Sequence, residues 1–136
     1  MGREPKEDIE MADNYVQPGE VLTLVAPSGG VVSGRGYVIG GAGGRLFAIA
    51  LTSADENKHF EGKVTGVFEM PKATHDTTKA FAAGETVYYD TAEHRWDKAA
   101  NDFIEDAGQV IEAAASTAGT CKVRLLNQPV KIVSGL

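Results

Sequence analysis

Residues 36–50 read GYVIGGAGGRLFAIA, a glycine-rich segment that runs directly into apolar residues. A glycine-rich loop beside a hydrophobic strand is typical of nucleotide-binding sites. This segment therefore decides between a nucleotide-binding protein and a fold in which the loop only connects two strands. In a phosphate-binding P-loop a Lys and then a Ser or Thr follow the glycines, and a helix comes next. Here Arg45 and Leu46 follow Gly43 and Gly44, and LFAIAL has the composition of a strand. The segment therefore predicts a hairpin loop between two strands, whose glycines permit positive φ.

The dinucleotide-binding pattern Gly-x-Gly-x-x-Gly is matched only in part. Gly34 and Gly36 begin the pattern, but the third glycine falls one position late, at Gly40. No acidic residue follows within a strand-helix-strand unit, which that cofactor site requires. We therefore expect no nucleotide cofactor.

The segments on both sides of this loop have β patterns. VLTLV, residues 21–25, lies between Pro-Gly and Pro-Ser-Gly-Gly turn signals. In GKVTGVFEMP, residues 62–71, the side chains of Val64, Phe68 and Met70 share one face with Gly66, which predicts one half-buried strand that ends at Pro71.

Near the C-terminus the alternation is repeated. In TCKVRLLN, residues 120–127, Cys121, Val123 and Leu125 point one way and the basic residues between them point the other. ETVYYD predicts another strand, TAEHRWDKAAND a hairpin or loop around Trp96, and PVKIVSGL a last edge strand.

One short segment has helical character. TTKAFAAGE is Ala-rich and stops at Gly84, which predicts about two helical turns from Thr77 to Ala83. About eight short strands at intervals of roughly 8–15 residues make up the rest. The sequence therefore predicts a mostly β fold, a small antiparallel β-barrel or jelly-roll-like sandwich with one short helix.

Length and charge limit the possible partners. The chain has 136 residues and a net charge of −6, from 13 basic and 19 acidic side chains. This field repels phosphate backbones, so we expect no nucleic-acid partner.

The charge-rich start, MGREPKEDIE, predicts a flexible N-terminal arm over residues 1–14, followed by a single β-rich domain over residues 15–136.

The sequence also indicates where the chain is made. No apolar run approaches the ~20 residues of a membrane span, so we expect no membrane partner. The N-terminus is charged and lacks the apolar centre of a signal peptide. We expect synthesis and retention in the cytosol, unless the protein leaves inside or on something larger.

Candidate reactive residues are few and scattered. Cys121 is the single cysteine and is expected to be a small buried residue, because no His or Cys lies at ligand spacing from it. His59, His75 and His94 each lie near a predicted turn without a second histidine three or four positions away. Asp55 and Glu56 lack the acidic spacing of a calcium loop. We therefore expect no catalytic and no metal site.

Four aromatic residues could form either a contact surface or part of the core: Tyr15, Tyr88, Tyr89 and Trp96. Tyr88 and Tyr89 are adjacent in a predicted strand, so one side chain faces inward and the other outward. Tyr and Trp supply large contact area at low entropy cost. Both interpretations stay open at the level of sequence.

Four segments together resemble a known family. They are NYVQPGEVLTLVAPSGGVVSG, GVFEMPKA, AAGETVYYD and AGQVIEAAASTAGTCKVRLLN, in that order, within residues 13–127. As a set they resemble a family of small phage proteins, filed as a domain of unknown function (DUF2190) and read as capsid cement or head decoration proteins. Some members carry an automatic label as recombinases of the RecA/RadA type, but the glycine loop here has no P-loop lysine.

The resemblance implies a non-enzymatic virion protein. It would bind the outside of an icosahedral phage head between major capsid proteins and would form a homodimer or homotrimer. The arm would contact the capsid or a neighbouring copy through an anchor made of Tyr15, Val16, Gln17 and Pro18. The alternatives are a recombination-associated ATPase that binds DNA, as the inherited label implies, and another virion β-module such as a tail accessory domain.

Overall fold

The computed structural model describes residues 19–41, 43–74 and 77–134. The predicted arm and its anchor at residues 15–18 lie outside these ranges, and so do His75 and Asp76. The strands within these ranges are β1 (Val21–Val25), β2 (Gly36–Gly41), β3 (Gly44–Ala50), β4 (His59–Lys63), β5 (Val67–Pro71), β6 (Thr86–Asp90), β7 (Arg95–Asp97), β8 (Ile104–Val110), β9 (Thr120–Leu125) and β10 (Lys131–Ile132).

The first sheet has four strands in the order β1-β4-β3-β2, and each strand is antiparallel to its neighbours. The glycine-rich segment forms the β2–β3 hairpin, which pairs from Gly36 opposite Ile49 to Gly41 opposite Gly44. Within the described residues β1 and β2 are the edges of this sheet. The predicted hairpin is confirmed.

The second sheet has the order β5-β9-β8-β6-β7, and β10 pairs with the start of β8. One parallel bridge joins Lys72 to Trp96, and the Ala73 N–H donates to the Trp96 carbonyl at 2.9 Å. This bridge brings the end of β5 beside β7 without a continuous ladder. The fold is mostly antiparallel β, as predicted, and its two sheets form a sandwich-like structure and not a closed barrel.

The main core lies between the two sheets. Phe47 and Ile49 of β3 pack with Tyr89 of β6 and Trp96 of β7. The rings of Phe47, Tyr89 and Trp96 meet edge to face, with centroids between 5.0 and 5.7 Å apart. The Trp96 indole N–H donates to the sulfur of Met70 at 3.4 Å, so its one polar atom has a partner inside the core.

One predicted strand is in fact two strands. Residues 62–71 were expected to form one element, but β4 ends at Lys63 and β5 begins at Val67, and these strands belong to different sheets. Gly66, at φ +107°, allows the chain to turn from one sheet to the other. The alternation after Gly66 is confirmed, because Met70 is buried and Val67 is exposed.

The predicted helix is also shorter than expected. Of residues 77–83, only Thr77–Lys79 is helical, as one 3₁₀ turn, whereas the sequence predicts two turns that reach Ala83. Phe81 instead forms an antiparallel bridge with Ala114, and its side chain is buried in the main core. Burial of this ring outweighs the helical preference of the alanines around it.

The predictions near the C-terminus are confirmed. Cys121, Val123 and Leu125 of β9 are buried, and Lys122 and Arg124 between them are exposed. Trp96 lies in the β6–β7 hairpin opposite Tyr89. The predicted last edge strand is β10.

Candidate functional site

The glycine-rich loop lies where two antiparallel strands join. A Cβ at Gly40 would collide with the backbone oxygen of Gly44, so the hairpin needs glycine at this position for close approach of its two strands. The residues after the loop continue as β3 and not as a helix. A P-loop uses the free N–H groups of a helix N-terminus, and the described residues of this segment form strands and no helix. The loop acts as a connector.

Cys121 is a structural residue. Its side chain is buried in β9, and burial raises the pKa of the thiol to about 11. Because the thiolate is the reactive form, this thiol is a weak nucleophile at neutral pH. The expectation of a small buried residue is confirmed.

The other candidate reactive residues support turns. The Glu56 carboxylate accepts the Gly29 N–H at 3.1 Å, which ties two loops together. His59 begins β4, and His94 has a φ of 58° in the turn between β6 and β7. Within the described ranges no three His, Cys, Asp or Glu side chains form a group that could hold a metal ion.

The aromatic residues divide between core and surface. Tyr89 and Trp96 are fully buried, so they belong to the core and not to a contact surface. The Tyr89 hydroxyl oxygen accepts the Gly36 N–H at 3.0 Å, and burial raises the pKa of Tyr89 to about 12. Tyr88 is half-buried. Tyr15 lies outside the described residues, so its role stays a prediction.

The edge strand β1 is a candidate contact element. It pairs with β4 from Val21 opposite Lys63 to Val25 opposite His59, and its other edge is unpaired within the described residues. The Val64 N–H donates to the Glu20 carbonyl at 3.1 Å, so ordered pairing begins just before β1. An unpaired edge presents backbone N–H and C=O groups to which a partner chain can add a strand. In sequence, residues 15–18 end two residues before this strand.

A second candidate is a cleft of about 400 Å³, lined by residues 33–35, 71–72 and 93–95. We call it the basic cleft, because Arg35, Lys72, His94 and Arg95 line it and Glu93 is its one acidic residue. The chain as a whole carries a net charge of −6, so this concentration of basic residues is local. Sequence reasoning missed it because about sixty residues separate Arg35 from Arg95.

Two nitrogen atoms at the basic cleft are buried without a partner. Within the described part of the chain, neither Nδ1 of His94 nor Nε of Arg95 makes a hydrogen bond. Most buried polar groups in proteins are paired, and an unpaired one costs about 1–3 kcal/mol. The two unpaired atoms therefore lower the stability of this part of the fold.

Lys72 contributes charge to the basic cleft and directs its ammonium group elsewhere. Its Nζ donates to the carbonyls of Ala73 at 2.8 Å and Ala118 at 3.3 Å, and it lies 5.0 Å from the centroid of the Phe81 ring. Burial lowers the pKa of Lys72. The exposed side chain of Arg35 is therefore the most accessible cation of the basic cleft.

Comparison with known proteins gives the family. A sequence model of the phage cement protein family matches residues 16–125. The match covers most of the chain, so this chain belongs to the phage cement protein family, as the resemblance predicted. A search of curated proteins and a search of solved structures each returned no match.

Family membership gives the chain a structural role in the virion, in association with the phage capsid. Among the described residues, no helix is both long and apolar enough to cross a bilayer.

Proposed function

We propose that this chain is a non-enzymatic protein that binds the outer surface of an icosahedral phage head, between neighbouring major capsid proteins, and stabilises the shell. The observation that carries this proposal is the family match over residues 16–125. Packed DNA pushes capsid subunits apart, and a protein that adheres to two subunits at once opposes their separation. Specific interfaces bury about 1,200–2,000 Å², and repeated attachment of an oligomer adds avidity.

The route of attachment follows from the edge strand β1. We propose that the arm over residues 1–14, with Tyr15, Val16, Gln17 and Pro18 as its anchor, contacts a capsid subunit or a neighbouring copy of the chain. β1 begins two residues after this anchor and has one unpaired edge, which supports backbone pairing that involves both. Residues 15–136 are proposed to be one β-rich domain that forms a homodimer or homotrimer.

The chemistry of the described residues supports adhesion without catalysis. Burial raises the pKa of the one thiol to about 11, and the glycine-rich loop joins two strands. The net charge of −6 opposes contact with the packaged DNA. The protein is proposed to be made in the host cytoplasm and to act on the exterior of the capsid.

The arm is tested by truncation. We expect a variant without residues 1–14 to keep its β-sheet circular dichroism and its oligomeric state and to occupy fewer sites on purified heads that lack the protein. A variant in which residues 1–14 are scrambled keeps their length and charge and serves as the matched control. Undiminished occupancy by the truncated variant would refute the role of the arm.

The competing recombinase function is tested by ATP turnover. We expect the purified protein to hydrolyse no ATP above background, with or without single-stranded DNA, and to retain no DNA in a gel-shift assay. DNA-stimulated hydrolysis by the wild-type chain would contradict the proposal.

A further inference from the structure

The unpaired edge of β1 presents the backbone groups of every second residue. Just before the strand the Val64 N–H donates to the Glu20 carbonyl at 3.1 Å, and just after it the Ala26 N–H donates to the Lys58 carbonyl at 2.8 Å. The even-numbered residues of this segment therefore bond to β4. In an antiparallel ladder the residues between them direct their N–H and C=O groups to the opposite side. The residues whose backbone groups face the edge that is unpaired within the described ranges are Val21, Thr23 and Val25.

These backbone groups are complementary to those of a second copy of β1. With the second strand antiparallel and a twofold axis at Thr23, Thr23 faces its own copy and Val21 faces Val25. Each of the three edge residues then donates one backbone hydrogen bond and accepts one, so the whole edge is paired. An axis at Leu24 would instead place Val21 opposite Pro27, which has no N–H to donate. The strand therefore favours one register with itself.

The side chains of β1 suit the same register. Val25, which is 48% exposed, would pack against Val21 of the second copy on one face of the sheet. On the other face the half-buried Leu22 and Leu24 would lie opposite each other, and Leu24 already packs against the core cluster that contains Phe60. Side chains directly opposite each other in an antiparallel pair have Cβ atoms about 4.5–5.5 Å apart. This apolar cluster would therefore continue from one copy into the other.

β1 lacks the features that keep edge strands from pairing. Its sequence, VLTLV, contains no charge, no proline and no glycine. The other edge of the sheet, β2, contains Gly36, Gly40 and Gly41, and Gly40 has a φ of +113° that interrupts the extended backbone. Although the chain carries a net charge of −6, two copies can pair along β1 without placing like charges opposite each other. The Thr23 hydroxyl donates to the Glu61 carboxylate at 3.1 Å, and the two copies of Glu61 would be three strand spacings, about 14 Å, apart.

We propose that two copies of this chain pair along β1, antiparallel about a twofold axis at Thr23, so that their four-stranded sheets join into one continuous sheet. The inference rests on the proposed function for the existence of an oligomer, and it names that oligomer as a dimer and gives its interface. A contact between identical surfaces closes on itself, and twofold dimers are the commonest soluble oligomers. The two β1 strands begin at opposite ends of the interface, which suits one dimer to contact two capsid subunits.

The register is tested by disulfide crosslinking of the full-length protein. In Thr23→Cys the two new thiols lie in a hydrogen-bonded pair whose Cα atoms are about 5.5 Å apart, within the range of about 4.4–6.8 Å that disulfides require. Val25→Cys is the matched control, because it places an equally exposed thiol on the same strand about 13 Å along the strand from its own copy. The native Cys121 is buried and stays unreacted.

With diamide as the oxidant we expect a disulfide-linked dimer from Thr23→Cys and none from Val25→Cys, on a non-reducing gel and by intact mass. Equal crosslinking of both variants would indicate random collision and would overturn the register. The absence of a crosslink in Thr23→Cys would overturn the proposal, as it would if the N-terminal segment of the same chain or a capsid strand occupied this edge.

The interface is tested by the oligomeric state in solution, measured by analytical ultracentrifugation. We expect a wild-type dimer, and a dissociation constant at least about tenfold higher for Thr23→Lys, because the two lysines would oppose each other at the axis. Thr120→Lys is the matched control, because Thr120 is also an exposed strand residue whose hydroxyl donates to a glutamate, Glu69 in the second sheet. This control should dimerise as the wild type does.

A monomeric or trimeric wild type, or unchanged dimerisation of Thr23→Lys, would overturn the proposal. The proposed function fails separately from it. A dimer that forms through β1 and leaves purified heads bare would refute attachment to the head and support this interface. A monomer that occupies heads would support attachment and overturn the interface.

Discussion

Gly108 lies in β8 at a position where the core leaves no room for a side chain. A Cβ there would collide with Cγ1 of Val123 and would lie 2.7 and 2.8 Å from Cη2 and Cζ3 of Trp96. Val123 and Trp96 are both fully buried, so neither can move without disturbing the aromatic cluster. Overpacking of this kind costs about 1–3 kcal/mol. The lower unfolded-state entropy of Ala returns about 0.4–1 kcal/mol. We therefore predict that Gly108→Ala lowers the free energy of unfolding by up to about 2.6 kcal/mol.

The assay is urea denaturation followed by the fluorescence of Trp96, the single tryptophan of the chain. Gly119→Ala is the control, because nothing lies within 4 Å of a Cβ at Gly119. In a double-mutant cycle, Val123→Ala makes room for the new Cβ, so the double variant should be more stable than the sum of the single losses predicts, by about 0.5–3 kcal/mol. Equal stability of Gly108→Ala and Gly119→Ala, or strict additivity, would refute the packing argument.

Two predictions concern buried titratable groups. Since burial raises the pKa of the Cys121 thiol to about 11, labelling by a maleimide at neutral pH should proceed only as the protein unfolds, and rapid labelling of the folded chain would contradict this. Burial likewise raises the pKa of Tyr89 to about 12, from an ordinary value of about 10. The folded state disfavours the tyrosinate. Below about pH 10 Tyr89 is neutral in both states and leaves the free energy of unfolding unchanged. As the pH rises to about 12, its ionisation in the unfolded state lowers that free energy by up to about 3 kcal/mol. In urea denaturation at a series of pH values, Tyr89→Phe should lack that part of the decline, and an identical decline in both proteins would show that Tyr89 does not cause it.

Local patterns predicted much of the fold. Two glycine pairs indicated the β2–β3 hairpin, because the apolar run LFAIAL after them has the composition of a strand. The alternation of Cys121, Val123 and Leu125 indicated the buried face of β9. In each case the decisive information lies within a few residues.

The errors arose where distant contacts outweighed local preference. The alternation that runs through Gly66 is continuous in sequence, but the chain changes sheets there, and only pairing with β9 reveals the change. The alanines near Phe81 favour a helix, whereas the ring is buried in the core and the backbone pairs with Ala114. For Tyr89 and Trp96 the sequence leaves core and contact surface equally open, and the edge-to-face packing of their rings places both in the core.

The surface was the least predictable part. The basic cleft joins Arg35 to His94 and Arg95 through the packing of two sheets, and no short motif contains all three residues. The family, by contrast, was recognisable because its segments are distinctive as a set.

The central claim is that this chain works by adhesion to the outside of a phage head. Cryo-electron microscopy of heads that lack the protein, before and after it is added, tests this claim most directly. The account predicts new ordered density on the outer surface, repeated with the symmetry of the shell, in which each copy contacts at least two major capsid subunits. Heads that stay bare, or density confined to the tail, would contradict it.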